Sequence, residues 1–147
     1  MMRNTFRFFA LVAGLALAGC STYNRRWEAA RADKDRFSGA YSGRWESARM
    51  AGTGGGLWCI VQQEAPQTYR ADFKATWHGI FRSEHSAVLK RRGNTFHADA
   101  TLNTWLGSGK YTCDGKFLTD GISATYDAVY DEGRFILQRT REGKKRP

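Results

Sequence analysis

The sequence predicts an all-β protein: about eight antiparallel strands closed into an up-and-down barrel, after an N-terminal signal segment. Three observations carry this prediction. Several short runs alternate apolar and polar residues with period two, the pattern of strands that bury one face. Turn signals rich in Gly, Asn and Asp separate those runs at even spacing. After Arg36 no stretch has the length and periodicity of a useful helix.

The chain has 147 residues, the size of one domain. Met1 to Phe9 carries Arg3 and Arg7 and no acidic residue, and Ala10 to Ala18 is apolar and short. A basic head followed by such a run reads as a secretion signal over residues 1–19. A bilayer span needs about 20 apolar residues, so the run is too short for one. Residues 20–36 are polar, "STYNRRWEAARADKDR" from Ser21 onward, and read as a linker with a short helical turn around Trp27 to Ala32. Trp27 sits at an interface or plugs the end of the domain; the sequence leaves both open.

The barrel domain is expected over residues 37–140. Its strands are read at Ala40–Ala48, Leu57–Gln63, Tyr69–Trp77, Phe81–Arg91, Phe96–Leu102, Tyr111–Phe117, Ile122–Ala128 and Arg134–Thr140. In the third, Tyr69, Ala71, Phe73, Ala75 and Trp77 alternate with Arg70, Asp72, Lys74 and Thr76. Gly52–Gly56, Glu64–Gln67, His78-Gly79, Arg92-Gly93-Asn94, Gly107–Gly109, Asp120-Gly121 and Asp131–Gly133 are the turns. Closing the sheet removes its exposed edges. Around Cys59 the parity is ambiguous, because Trp58 and Ile60 compete with Leu57, Cys59 and Val61 for the core. Residues 141–147 form a basic tail, with Arg141, Lys144, Lys145 and Arg146. The tail either docks on anionic lipid or envelope polymers or is a solvated end.

Leu17-Ala18-Gly19-Cys20 resembles the lipobox of bacterial lipoproteins. The resemblance implies cleavage before Cys20 and acylation of that residue, leaving the protein lipid-anchored in a bacterial cell envelope. Several acyl chains hold a protein firmly, at about 0.8 kcal/mol per buried CH₂. Ser21 after the cysteine implies, by the enteric rule, an outer-membrane lipoprotein facing the periplasm. The chain has three cysteines, an odd count that calls for an explanation in an exported protein. With lipid on Cys20, Cys59 and Cys113 remain. They are expected to pair in a disulfide worth roughly 4 kcal/mol by loop closure, the alternative being two free buried thiols.

The formal charge is +9, from 23 basic and 14 acidic residues. Loss of Arg3 and Arg7 with the signal leaves about +7, suited to anionic head groups. Nucleic acid is excluded as a partner by the location that the leader implies.

The inferred inner face mixes large aromatics with Gly and Ala. Interlocking would fill a narrow barrel; otherwise a hollow for one apolar ligand remains, and eight strands allow either. Gly43-Arg44-Trp45 resembles the Gly-x-Trp of lipocalins and related calycin barrels. The resemblance implies a calycin-like barrel in which Arg139, on the last strand, packs across Trp45 as a closure device. A cation over an indole contributes about 0.5–2 kcal/mol. Tyr111 to Gly115, "YTCDG", resembles the Tyr-x-Cys-x-x-Gly opening of the membrane-bound inhibitors of C-type lysozyme, with Gly115 one place early.

Chemistry is sparse. His78, His85 and His97 fit no compact metal-ligand spacing. The Gly52–Gly56 run lacks the helix and lysine of a phosphate loop, and no nucleophile elbow or zinc-protease motif is present. The expectation is therefore a non-catalytic envelope lipoprotein without cofactor, which binds a small apolar ligand or supports envelope integrity. The ligand contacts are expected from Trp77, Phe81, Phe96, Tyr111 and Tyr126. The alternative is an inhibitor of a cell-wall hydrolase, with an envelope protein as partner.

Overall fold

The computed structural model describes residues 22–79, 81–104 and 107–142. Eight strands follow one short helix. They are β1 (Gly39–Ser47), β2 (Gly54–Ala65), β3 (Thr68–Trp77), β4 (Phe81–Arg92), β5 (Thr95–Thr104), β6 (Gly107–Leu118), β7 (Gly121–Ala128) and β8 (Glu132–Arg139). Each pairs antiparallel with its neighbours in chain order, and β1 also pairs with β8, which closes the ring. The expected all-β, eight-stranded, up-and-down barrel is therefore the fold.

The strand boundaries differ most at β6, which begins at Gly107 rather than Tyr111, and at β2, which begins at Gly54 inside the expected loop. A Cβ at Gly55 would fall 1.7 Å from the Thr76 carbonyl oxygen, a site where only glycine lets two backbones meet. A run of glycines that reads as a flexible loop is here a strand under close approach.

Period two sorts the side chains as expected. Tyr41, Leu57, Val61, Tyr69, Phe73, Leu89, Phe96, Phe117, Phe135 and Leu137 are buried in one interior core, with Ala71, Ala87, Ala98 and Ala124 between them. The small residues make room for the rings, which is how an eight-stranded barrel fills. One end is sealed. Phe37, just ahead of β1, packs at 5.0 Å from Phe117 and 6.0 Å from Tyr69. The Phe37 carbonyl accepts a 2.8 Å hydrogen bond from the Tyr41 hydroxyl. The Arg91 guanidinium covers the other side of Phe37, 4.2 Å from its ring centroid.

Residues 22–31 form the helix α1. Tyr23, Trp27 and Ala30 recur at the spacing of one helical face, and all three are buried against Ala40, Ile60 and Trp58 on the outside of the barrel. This resolves the ambiguous parity of β2. Leu57, Cys59 and Val61 point into the barrel while Ile60 points into the α1 interface, so both faces of the strand are apolar. Residues 22–31 are thus a docked helix, which starts earlier than the helical turn expected around Trp27 to Ala32 and packs on the barrel within the segment read as a linker. Its polar fastening is Asp72, which accepts hydrogen bonds from Arg26, from Arg70 at 2.9 Å and from Ser86 at 2.5 Å. Burial alone would raise the Asp72 pKa, but these donors prevail and hold the carboxyl below its ordinary range.

Two expected pairings are not formed. Cys59 and Cys113 are free thiols, both buried. β2 and β6 lie opposite each other in the ring of eight, across the core, whereas a disulfide needs Cα atoms within about 7 Å. Nor does Arg139 pack across Trp45. Trp45 is in register with Phe135, whereas Arg139 is in register with Tyr41, four residues further along β8 and about 13 Å away.

Candidate functional site

Among the described residues, the end of the barrel opposite Phe37 is open. There the loops 48–53 and 129–131 meet the ends of β3, β4 and β6 around a cavity of about 720 Å³. That volume falls within the roughly 300–1,000 Å³ of small-molecule sites. Its wall is mainly apolar: Leu57, Phe73, Ala75, Trp77, Leu102, Tyr111, Tyr126 and Phe135, with Trp45 at the side.

Hydrogen bonds fix the polar edges of these rings. The Trp45 indole N–H donates to the Thr76 carbonyl at 3.0 Å, tying β1 to β3 across the start of β2. The Tyr126 hydroxyl donates to Asp131 Oδ2 at 2.8 Å, and Ser47 donates to Asp131 Oδ1 at 2.6 Å. Tyr126 in turn lies nearly parallel to Tyr111, with centroids 6.2 Å apart. Burial raises the Tyr111 pKa well above that of a free phenol and does the same for Tyr126, so both stay protonated.

His85 is the polar exception. Its ring stacks on Phe73 at 5.0 Å and meets the edge of Tyr111 at 5.3 Å. It borders the cavity, yet neither ring nitrogen has a hydrogen-bond partner among the described residues, and both are sealed from solvent. Burial pushes its pKa down to about 4, so the imidazole is neutral at physiological pH. A general base is normally oriented by a second polar group, and His85 has none here.

The five expected ligand residues are split by the fold. Trp77, Tyr111 and Tyr126 line the cavity together. Phe96 does not, because its register on β5 places it deep at the sealed end, 5.2 Å from Phe117. The Phe81 side chain lies outside the described residues, as do Cys20, the leader 1–19 and the tail residues 143–147. The residues that sequence reasoning missed are Trp45, Phe73, His85 and Phe135, with Met50 and Tyr130 on the loops. Phe73 and Phe135 carried a detectable signal, since both fall on the inward phase of their strands. What the pattern lacked was position along the barrel axis.

Other candidate chemistry lies outside. His97 bridges Asp114 at 2.7 Å and Asp99 at 3.0 Å on the exposed face of β5 and β6, and these two carboxylates raise its pKa. Among the described residues no group of three His, Cys, Asp or Glu side chains is placed to hold a metal ion.

The decisive comparison is structural. The chain is similar to a de novo designed fluorescence-activating β-barrel, with a TM-score of 0.57 and 15% identity over 76% of this chain and 97% of that one. At that identity the likeness shows the fold alone. No protein-family model matches the chain, and no curated protein matches it.

Proposed function

We propose that this protein is a lipid-anchored component of a bacterial cell envelope whose barrel holds one small apolar ligand at its open end, without catalysis. The observation that carries the reading is the aromatic cavity of about 720 Å³, walled by Phe73, Trp77, Tyr111, Tyr126 and Phe135. Aromatic walls with a few fixed polar edges are the usual composition of such sites. The Leu17–Cys20 lipobox and the basic charge support the anchor. The likeness to a barrel named as fluorescence-activating is consistent with a hollow end of this kind.

The hydrolase-inhibitor reading finds less support. It rests on Tyr111 to Gly115, whose Tyr111 and Cys113 side chains are buried in the core. That stretch offers a protein partner little beyond Thr112 and Asp114.

The test has two arms. Mass spectrometry of the chain purified from membranes is expected to show an N-terminus at Cys20 with acyl chains, lost in Cys20→Ser. Native mass spectrometry and solvent extraction of the barrel are expected to show a bound apolar molecule, displaced when Tyr111 and Tyr126 are changed to Ala. A barrel that is empty in every preparation sinks the carrier role, whatever the state of Cys20.

A further inference from the structure

We infer that the open end of the barrel docks on the bilayer, with Met50, Val129 and Tyr130 at the acyl-chain boundary, so that the cavity draws a lipid acyl chain from the membrane. The inference rests on the lipid anchor proposed above and adds both an orientation and a ligand class.

Two independent observations agree on the orientation. The first is the rim. Met50 is 45% exposed, Val129 52% and Tyr130 53%, and all three border the cavity on the loops 48–53 and 129–131. Among the described residues the other strongly exposed large apolar side chains are scattered: Val88 and Ile136 on outer strand faces and Leu118 at the sealed end. A cluster of apolar side chains around a cavity mouth marks an interaction site, whereas scattered ones mark nothing.

The second observation is the course of α1. Its first turn lies beside Lys74, Thr76 and Arg82, on the parts of β3 and β4 that lead to the mouth. Its last turn lies at the sealed end, where Arg31 donates to the Arg141 carbonyl. Only Ser21 separates Cys20 from the helix, so the anchored residue is within about 7 Å of Thr22. The helix itself runs about 15 Å from Thr22 towards the sealed end, about twice that reach. A chain tethered at Cys20 therefore presents its mouth to the membrane.

Charge at the rim is compatible. Arg82 and Lys110 border the mouth, the charge type that anionic head groups attract. Of the five acids at this end among the described residues, Asp131 accepts from Ser47 and Tyr126, Glu132 is paired with Arg49 at 3.7 Å and Glu46 with Arg134 at 3.0 Å; Glu84 and Asp127 are the others. The sealed end is the more basic, with Arg36, Lys90, Arg91 and Arg92, but it lacks the apolar rim. An apolar rim in contact with acyl chains gives a hydrophobic occupant a route that never crosses water.

The experiment uses the lipidated full chain in vesicles of phosphatidylethanolamine and phosphatidylglycerol that carry a chain-linked quencher. One variant bears a fluorophore at Val129→Cys and another at Leu118→Cys; buried Cys59 and Cys113 stay unlabelled in the folded protein. The Val129 label is expected to be quenched several-fold more than the Leu118 label. Equal quenching, or stronger quenching at Leu118, on a protein that floats with the vesicles overturns the docking and leaves the anchor standing. A chain with intact Cys20 that does not float overturns the anchor and this inference with it. A diazirine in the vesicle acyl chains gives the second readout. Adducts on the peptides holding Phe73 and Tyr111 are expected, and adducts absent from both overturn the uptake.

Discussion

The guanidinium of Arg139 lies over the ring of Tyr41, its register partner on β1, with Cζ 5.9 Å from the ring centroid. From there it donates hydrogen bonds to four backbone carbonyls: Arg36 at 3.0 Å, Asp33 at 2.9 Å, Asp35 at 2.6 Å and Ser38 at 2.6 Å. One side chain thus staples the connection between α1 and β1 onto the sealed end. The side chain is only 8% exposed, so the cation depends on those carbonyls and they depend on it.

Arg139→Ala is expected to cost about 2–3 kcal/mol, because it removes a charged donor from four carbonyls at once, that of Ser38 buried. Arg139→Lys keeps the charge but not the planar fork, and its stability should fall between the two. Urea denaturation measures the loss. Hydrogen exchange should show faster opening of residues 33–38, while an Arg139 that served only as surface charge would leave that segment unchanged.

Gly43 and Trp45 form the second junction. A Cβ at Gly43 would fall 2.0 Å from the Ile136 carbonyl oxygen, a backbone atom that cannot step aside without moving β8. Gly43→Ala is expected to cost about 2–3 kcal/mol through this overpacking. Trp45→Phe keeps most of the ring and removes the donor to Thr76, a loss of about 1 kcal/mol. If Gly43→Ala melts with the parent protein in a thermal scan, the close approach of β1 to β8 is wrong.

These two sites show what was legible in the sequence and what was not. Alternation along Tyr69–Trp77 or Ile122–Ala128 reports which face is buried, so the strand count, the barrel and most inward residues could be read directly. It does not report height along the barrel axis. For that reason alternation alone groups Phe96 with Tyr111; the placing of Arg139 across Trp45 comes from the calycin resemblance, and the register gives Arg139 to Tyr41 instead. The sequence shows a helical turn there but not its length or its docking, because α1 buries only Tyr23, Trp27 and Ala30 among polar neighbours, and its partners Trp58 and Ile60 lie on the outer phase of a strand that also feeds the core. The orphaned nitrogens of His85 arise from three separate strands meeting, which no local pattern encodes.

Cys59 and Cys113 should behave as core residues. Burial raises the Cys59 thiol well above its ordinary range and pushes Cys113 up to about 12. Since the thiolate is the reactive form, neither should react with a maleimide in the folded protein at neutral pH. After denaturation in urea without reductant, mass spectrometry should show two adducts on a chain whose Cys20 is blocked. No adducts under those conditions would mean that the pair is oxidised and that the two sides of the barrel meet.

His85 gives the pH dependence. Its pKa in the folded protein is about 4 against 6.5 for a free imidazole, so the unfolded chain binds a proton that the folded one rejects at intermediate pH. Stability is therefore full above about pH 6.5 and falls as pH drops towards 4, by up to about 3 kcal/mol. The part of the ring that meets the cavity reduces that figure. Asp72 also loses stability on acidification, but its carboxyl is held below the ordinary range, so its loss comes at lower pH. His97, whose pKa its two carboxylates raise, contributes with the opposite sign, gaining stability as pH falls. Comparing urea unfolding at pH 7 and pH 5 in a His97→Gln background therefore isolates the His85 imidazole. His85→Phe should flatten the difference, because phenylalanine fills the slot between Phe73 and Tyr111 without a titrating group. It should also raise stability at pH 7 by about 1–2 kcal/mol, because two polar atoms that lack partners are removed. A His85→Phe protein that keeps the parent's full sensitivity between pH 7 and 5 would place the titrating group elsewhere.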